Sequence, residues 1–406
     1  MKIYHILLAG LILKLILLNF SGHTLEYDEI GYYKLAEHFT GTGNFMLQPL
    51  DTYRTPGYPF FVSLIFLVFG LKQAYLFQIF ISLGSVYLIY LTGKEIFSER
   101  TGLIAAMILS LEPDHLFFTY SLLADTLFIL FLLLMVFQLI RFTKTNATGH
   151  LITSGVLMGL CIFIKPIAMY LPLVFIVLIK KRYILAFIFL TCAVLYPWAM
   201  RNFIRYDHFR ITTISGHNLL NYNAALTKAK IEGISYSEAR RSLQIKNGHN
   251  PFDQSKKQTQ EAVKYISGHK SAYLKIHLAG MTRIFTSMNY KHFAGRFFKA
   301  NIPEDTYGSY SVSLATWGSS AILFITGLYY LIFNLLIYLF ALPALVRRNT
   351  ILLILIMAYF AIIVGPVGNA RYKLFISPFY ILLTAEILTK NIFKNDFKRL
   401  NPERTV

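Results

Sequence analysis

Apolar residues run along this chain in long blocks separated by short polar breaks. The blocks cover 3–20, 73–92, 101–120, 122–141, 151–165, 167–179, 183–198, 315–342, 350–367 and 374–390. Soluble amphipathic helices show a 3.6-residue stripe instead. Continuous blocks near the ~20 residues needed to cross a bilayer predict transmembrane helices. Ten spans are therefore expected. The pair 151–165 and 167–179 is short, and is expected to tilt, to kink at Pro166 or to stop before crossing. The first block could be a secretory signal. Lys14 interrupts it and residues 18–23 lack a small-x-small cleavage pattern, so it reads as a retained span.

Residues 56–70 are also apolar and could span or lie at the interface. Loop charge arbitrates. With 56–70 off the count, the short loops assigned to the cytosol carry fifteen Lys and Arg, and the short outer loops carry six. Counting 56–70 as a span inverts this for most of the chain. The positive-inside rule then favours both termini in the cytosol and an interfacial helix at 56–70 on the outer side. Two outer segments are long: 21–57, with net charge −3, and 199–314, with net charge +10. The second is too polar to span and carries helical patterns at about 235–246 and 255–290. The expected organisation is a membrane module at 1–198 whose first outer loop is 21–72, an extracytoplasmic domain at 199–314, and a second membrane module at 315–406 with a cytosolic tail. No internal repeat is visible, which counts against many transporter folds.

Composition sharpens the class. Of 406 residues, 55% are hydrophobic and only 15% charged, with mean hydropathy +0.52. A soluble globule would expose large apolar patches at these values. The fold class expected is all-α and polytopic. The formal charge of +19 suggests nucleic acid at first sight, but membrane orientation accounts for much of it. The two cysteines, Cys161 and Cys192, lie in apolar blocks and predict neither a disulfide nor a zinc site. Asn146-Ala-Thr148 matches a glycosylation sequon in a loop assigned to the cytosol, and is read as chance.

The informative residues are polar ones in costly places. Asp28 and Glu29 follow the first span and open an amphipathic stretch. Helix capping explains one of them. Asp125 lies just inside the block 122–141, near the outer surface, where an acid is expensive and is a functional candidate by default; an interfacial ion pair is the plain alternative. Cations recur at the same face: Arg54, Lys165, Arg201 and Arg371. Each could be a snorkelling side chain. Together they suggest an anionic ligand, and arginine suits bidentate phosphate contact. Lys14 alone stands out deep in a span, and reads as a snorkelling or helix-packing residue. The set suits transfer of a sugar from a lipid phosphate. Fixed cations would stabilise the leaving phosphate, and a carboxylate opposite would take the proton of the incoming hydroxyl. Single displacement would invert the anomeric carbon.

In order along the chain, these motifs resemble the GT-C glycosyltransferases. The likeness is to the bacterial branch related to dolichyl-phosphate-mannose protein mannosyltransferases and to the lipid A aminoarabinose transferase. The matching residues are Asp28-Glu29 with Tyr32, Tyr33 and Ala36; Arg54-x-Pro-Gly-Tyr-Pro59; Gly93-Lys94-x-x-Phe97; Pro113 through Leu122-x-x-Asp125-x-Leu-Phe128; Gly155-x-x-x-Gly159 through Lys165-Pro166; Pro197-Trp198 with Arg201-Asn202; and Ala370-Arg371-Tyr372. The resemblance implies a polyprenyl-phosphate-sugar donor used on the outer face of the inner membrane. It implies a catalytic role for Asp28, with Glu29 and Asp125 as the accompanying acids. Arg54, Lys165, Arg201 and Arg371 are the implied donor-phosphate ligands; relatives often have Arg where Lys165 stands. Tyr58, His217, Asn218 and Tyr372 are candidates for the substrate pocket, with interfacial tyrosine and a plain surface histidine as their bland alternatives. Some relatives bind a divalent metal through Asp-x-Asp. This chain has Asp-Glu, so no obligatory metal or other cofactor is expected. The expected partners are the lipid-linked donor, an anionic glycan, lipid or protein acceptor such as lipopolysaccharide components, and membrane lipids; nucleic acid is not expected. Two other readings stay open: an O-antigen polymerase or ligase, and a transporter or flippase for a lipid-linked sugar.

Overall fold

The computed structural model describes residues 2–392 apart from 22–24, 27, 71–72, 177–178, 246–247, 300–320 and 345–349. Its regular structure is helical throughout the described residues. In chain order the helices are α1 (Ile3–Phe20), α2 (Asp28–Thr42), α3 (Leu50–Tyr53), α4 (Gly57–Phe69), α5 (Gln73–Ile96), α6 (Glu99–Leu111), α7 (Pro113–Thr119), α8 (Asp125–Thr145), α9 (Thr148–Ile164), α10 (Pro172–Ile176), α11 (Lys181–Tyr206), α12 (Ile214–Asn218), α13 (Ala225–Glu232), α14 (Tyr236–Ser242), α15 (Pro251–Gly268), α16 (Lys270–Thr286), α17 (Tyr290–Phe298), α18 (Ala321–Ala341), α19 (Ile351–Val364) and α20 (Ala370–Ile392). A π-helical turn, Leu219–Ala224, joins α12 to α13.

Six of these are long and apolar enough to cross a membrane: α1, α5, α8, α11, α18 and α20. The pair α6 and α7, bent by 58°, makes a seventh candidate if the two count as one span. The bend has a local cause. Pro113 forces Glu112 into extended backbone (φ −64°, ψ 122°), which ends α6 and starts α7 in a new direction. The protein is thus a multi-pass membrane protein. The expectation of ten spans exceeds what the helices support by length. The block 151–165 forms α9, of 17 residues. The block 167–179 breaks into a 3₁₀ turn and the five-residue α10. The block 350–367 gives only the 14 residues of α19. The first part of 315–342 and the basic tail after 392 lie outside the described residues.

Helix α4 has 13 residues, about 20 Å at 1.5 Å per residue, too short for a ~30 Å hydrocarbon core. Tyr58, Val62 and Ile65 are buried on one face, while Leu64, Leu67 and Val68 are exposed on the other. That division suits the interfacial placing of 56–70.

Helix α20 is the axis of the bundle. Of its most apolar stretch 89% is buried, against 17% for α1 and for α11. Close packing elsewhere relies on glycine. A β-carbon on Gly93 would lie 2.8 Å from the Gly102 Cα where α5 crosses α6. One on Gly159 would lie 2.8 Å from the Thr191 carbonyl where α9 meets α11. Small residues that let helix backbones approach are the usual contact in membranes. The polar region begins later than expected: α11 runs unbroken past 198 to Tyr206. The patterns at 235–246 and 255–290 resolve into α14, α15 and α16, with a break at His269.

Candidate active site

The segment after α1 places its two acids differently. Glu29 Oε2 accepts the Glu26 N–H at 3.0 Å, a cap-like bond, and its Oε1 accepts the Leu122 N–H at 2.6 Å. Glu29 is therefore the capping acid and is buried. Burial lifts its carboxyl above the ordinary range, and the nearby Arg296 charge and backbone N–H groups only partly offset this. Asp28 is left free of capping and faces the site.

Asp28 is held between two arginines. Arg54 Nη2 reaches Oδ1 at 2.5 Å and Arg371 Nη1 reaches Oδ2 at 2.7 Å. Arg371 also spans to Asp125, with Nε 3.1 Å from Oδ1 and Nη2 3.0 Å from Oδ2. Lys165 Nζ meets Asp125 Oδ1 at 3.0 Å. Three cations and two carboxylates from five distant chain segments thus form one cluster. Asp125 is sealed at 0% exposure, but Asp28 is 39% and Arg371 25% exposed. The cluster opens at the Asp28 end. Burial alone would raise the Asp28 carboxyl, yet the Arg371 and Arg54 guanidinium groups outweigh it and hold it well below the usual carboxylate range.

Local structure fixes each member. Gly57 lets the Arg54–Pro59 segment lie against the end of α9: a β-carbon there would sit 2.6 Å from the Phe163 carbonyl. Thr55 Oγ1 donates to the Ile164 carbonyl beside it at 3.2 Å. Arg54 is thereby set next to Lys165. Its guanidinium lies 4.7 Å from the Tyr32 ring and 5.1 Å from the Tyr53 ring, which shields the cation on both sides. The polar region after α11 is tied to the same segment. Thr213 N–H donates to the Thr52 carbonyl at 2.9 Å and Thr212 Oγ1 to the Tyr53 carbonyl at 2.9 Å.

The pocket candidates divide. His217 packs edge-on to Tyr53 with ring centroids 5.0 Å apart, and its Nδ1 lies 3.2 Å from Asn221 Nδ2. Burial, followed by the charges of Arg240 and Arg54, pushes the ring down to about 4, so it is neutral near pH 7. Tyr372 stands beside Arg371 and packs against Phe375. Asn218 precedes the π-helical turn, and its carbonyl accepts from Asn223 Nδ2 at 3.2 Å. Tyr58 is fully buried, with its hydroxyl donating to Gln78 Oε1 at 3.1 Å. Tyr58 belongs to the scaffold and faces no opening. Arg201 also stands apart. Its Nη2 pairs with buried Asp51 at 2.7 Å, and its guanidinium stacks 4.6 Å from Trp198.

Sequence reasoning missed several residues. Arg296 donates to the Tyr120 carbonyl at 3.0 Å and to Ser121 Oγ at 2.5 Å, and its Nη2 is 3.9 Å from Glu29. Gln78 Nε2 donates to the Thr119 and Ser121 carbonyls at 3.2 and 2.9 Å. Both shape the turn that leads to Asp125. Of the two readings of Lys14, burial favours helix packing. The side chain is completely buried, so it does not snorkel, and its charge faces Glu112. Nor is it the lone deep charge. Lys373 Nζ lies 2.8 Å from Asp114 Oδ2, and both are at 0% exposure. Among the described residues no three His, Cys, Asp or Glu side chains converge as a metal-binding group.

Residues 53–200 match the family model for dolichyl-phosphate-mannose-protein mannosyltransferase. That segment holds Arg54, Asp125 and Lys165. Comparison with curated proteins found no match. The chain is similar in structure to AglB, the oligosaccharyltransferase of Archaeoglobus fulgidus, solved with an inhibitory peptide and a dolichol-phosphate. The identity is 13%, the TM-score 0.56, and the match covers 100% of this chain and 52% of that one. The chain thus spans about half the length of that relative. A second similar structure is ArnT from Cupriavidus metallidurans bound to undecaprenyl phosphate, with 12% identity, TM-score 0.46, and coverage of 99% of this chain and 80% of that one. The chain therefore has the GT-C fold, with the likeness to the mannosyltransferase family centred on residues 53–200.

Proposed function

We propose that the protein is an inverting glycosyltransferase of the bacterial inner membrane, working on the outer face with both termini in the cytosol. Its donor is a polyprenyl-phosphate sugar, and its acceptor is a hydroxyl of an envelope glycan, lipid or protein. One observation carries this reading: Arg54, Lys165 and Arg371 converge around Asp28 and Asp125 at the ends of helices, and the cluster opens at Asp28. The organisation proposed with it is a membrane module at 1–198, an extracytoplasmic domain at 199–314 and a second membrane module at 315–406.

The acceptor oxygen attacks the anomeric carbon as the bond from that carbon to the phosphate oxygen breaks. The acceptor proton passes to an Asp28 oxygen. The departing polyprenyl phosphate gains one negative charge, which Arg371, Arg54 and Lys165 stabilise in a site with little water. Asp125 touches no solvent, so its role is to aim Arg371 and Lys165. Glu29 holds the turn before Asp125, and Arg201 with Asp51 braces the loop that carries Arg54. His217, Asn218 and Tyr372 are assigned as sugar-facing groups on this reading.

Asp28 is a weak base while two arginines hold it. A phosphate arriving at those arginines competes for them. As each guanidinium turns to the phosphate, the carboxylate loses its counter-charge and its proton affinity rises. Donor binding thus arms the base. The deciding experiment is transfer by purified protein in nanodiscs against a panel of polyprenyl-phosphate sugars. Release of polyprenyl phosphate from one donor is expected, and Asp28→Asn should abolish it with donor binding intact. Turnover of no donor, with the variant matching wild type in the envelope glycan profile, would favour a transporter.

A further inference from the structure

Asn221 is a buried residue whose bonds fix two neighbours at once. Its Oδ1 accepts from Arg240 Nε at 3.3 Å. Its Nδ2 donates to the His217 carbonyl at 3.1 Å and lies 3.2 Å from His217 Nδ1. A guanidinium carries donors only. The amide oxygen must therefore face Arg240, and the amide nitrogen must face His217. Nδ2 has two hydrogens, and the carbonyl and Nδ1 take one each. Nδ1 is thus an acceptor, and in the neutral ring the hydrogen sits on Nε2.

Local structure holds this chain of bonds. Asn221 lies in the π-helical turn Leu219–Ala224, a feature frequent at functional sites. Helix α14 starts at a capping box of Ser235 and Glu238 and presents Tyr236 and Arg240 one turn apart on one face. The Tyr236 hydroxyl donates to the Asn221 carbonyl at 2.9 Å, so α14 grips Asn221 by backbone and side chain. Helix α12 is pressed onto α15, where a β-carbon on Gly216 would overlap the Ser255 carbonyl. His217 Nε2 has no acceptor among the described residues, and it is not sealed from solvent. The ring stands one aromatic side chain from the charged cluster. Its centroid is 5.0 Å from that of Tyr53, whose ring is 5.1 Å from the Arg54 guanidinium. The two charges that act on His217, those of Arg240 and Arg54, are both positive.

We propose that Arg240 and Asn221 are positioning residues that keep His217 as a fixed Nε2–H donor, and that this donor reads an oxygen of the transferred sugar. The inference rests on the glycosyltransferase reading above. A hydroxyl or carboxylate oxygen accepts such a hydrogen. A sugar ammonium at that place has only hydrogens to offer and meets two like charges, so amino sugars are refused there. Arg240 and Asn221 act through the ring.

The test uses the whole protein in nanodiscs with isotopically labelled histidine, read by nitrogen NMR. The His217 signal is identified by its loss in His217→Gln. Wild type should carry the hydrogen on Nε2. Asn221→Asp should move it to Nδ1, because a carboxylate only accepts, and Arg240→Met should give both tautomers. A wild-type ring protonated on Nδ1, or variants matching wild type, would overturn the relay. Polyprenyl-phosphate hexoses, hexuronic acids and amino sugars are then added. The Nε2 signal should shift with a hexose or a hexuronic acid. A shift with amino sugars alone, or with no donor, would overturn the recognition. In transfer assays Arg240→Met should raise donor KM roughly three- to tenfold, the scale of one hydrogen bond, with kcat kept. In a His217→Ala background it should raise KM no further; an added loss there would mean that Arg240 acts by another route. His217→Gln keeps an N–H near the same place and should recover most of the KM lost in His217→Ala. If no donor is turned over while the tautomer and the Nε2 shift hold, the glycosyltransferase reading fails and the relay stands as a binding element for a lipid-linked sugar.

Discussion

Two charged clusters share helix α20 and differ in almost every respect. Arg371 serves the outer one, where three cations meet two carboxylates and Asp28 remains 39% exposed. Lys373, two residues on, serves the inner one. There Lys14 and Lys373 face Glu112 and Asp114, two cations against two acids, and all four are sealed from solvent. The inner group balances its own charge and presents nothing to a ligand. The outer group has a cation to spare and an opening through which an anion can reach it. Intramembrane charge by itself does not mark chemistry. A surplus of one sign at an opening does. The inner group also bears on the transporter reading, which calls for charges deep within spans: such residues exist, and of them Lys373 is paired with Asp114.

The contrast can be broken at several points. The largest effect is expected from Arg371→Met. It removes the bridge between Asp28 and Asp125, and should lower turnover by about 10²–10³, read as polyprenyl phosphate released per unit of folded protein. Asp114→Ala should instead cost stability. It leaves Lys373 buried without its acid, a loss of about 3–5 kcal/mol, visible in thermal unfolding in detergent. Turnover per folded molecule should stay within about twofold. Pairing it with Lys373→Met should restore most of the stability. A collapse of turnover in the folded double variant would show that the inner group serves the reaction after all.

Acidity offers a finer test. Asp28 is depressed in the folded protein, so its contribution to stability is present above the ordinary aspartate range and fades as pH falls toward its folded value. Unfolding temperature should therefore drop below about pH 4 in wild type and less steeply in Asp28→Asn. If donor binding frees the carboxylate, the acid limb of kcat should lie at higher pH than the limb of kcat/KM. Coincident limbs would mean that the arginines never release Asp28. The smallest effect is expected from Lys165→Arg, which keeps the charge facing Asp125. It should retain turnover within about threefold, whereas Lys165→Met should lose roughly tenfold or more.

Much of this was legible in the sequence, for identifiable reasons. Apolar blocks map onto α1, α5, α8, α11, α18 and α20 because lipid demands uninterrupted hydrophobicity. Asp28, Arg54, Asp125, Lys165 and Arg371 could be singled out because each sits where membrane energetics disfavours it. The inner cluster was hidden. Glu112 and Asp114 stand in a block read as one span, and although Pro113 sets the kink locally, the partner Lys373 that Asp114 meets is far away in the chain. Lys373 looked like an outer-loop cation until α20 was seen to carry it to Asp114. Arg296 was one of 17 basic residues between 199 and 314, and nothing local distinguishes it. Arg201 and Tyr58 show the reverse limit: the right residue types at plausible positions, held by Asp51 and by Gln78.

The Asp28–Arg371 pair joins residues 343 positions apart. On a translating ribosome at about 5–20 residues per second, roughly 17–70 s separate their synthesis. From the synthesis of Asp125 until that of Arg371 the nascent chain carries both carboxylates without the cation that bridges them. An unfinished chain can neither grip a lipid phosphate between its arginines nor activate an acceptor. On the proposed glycosyltransferase reading, a product cut short before α20 lacks the bridging cation, so completion of the chain acts as the safety catch on the reaction.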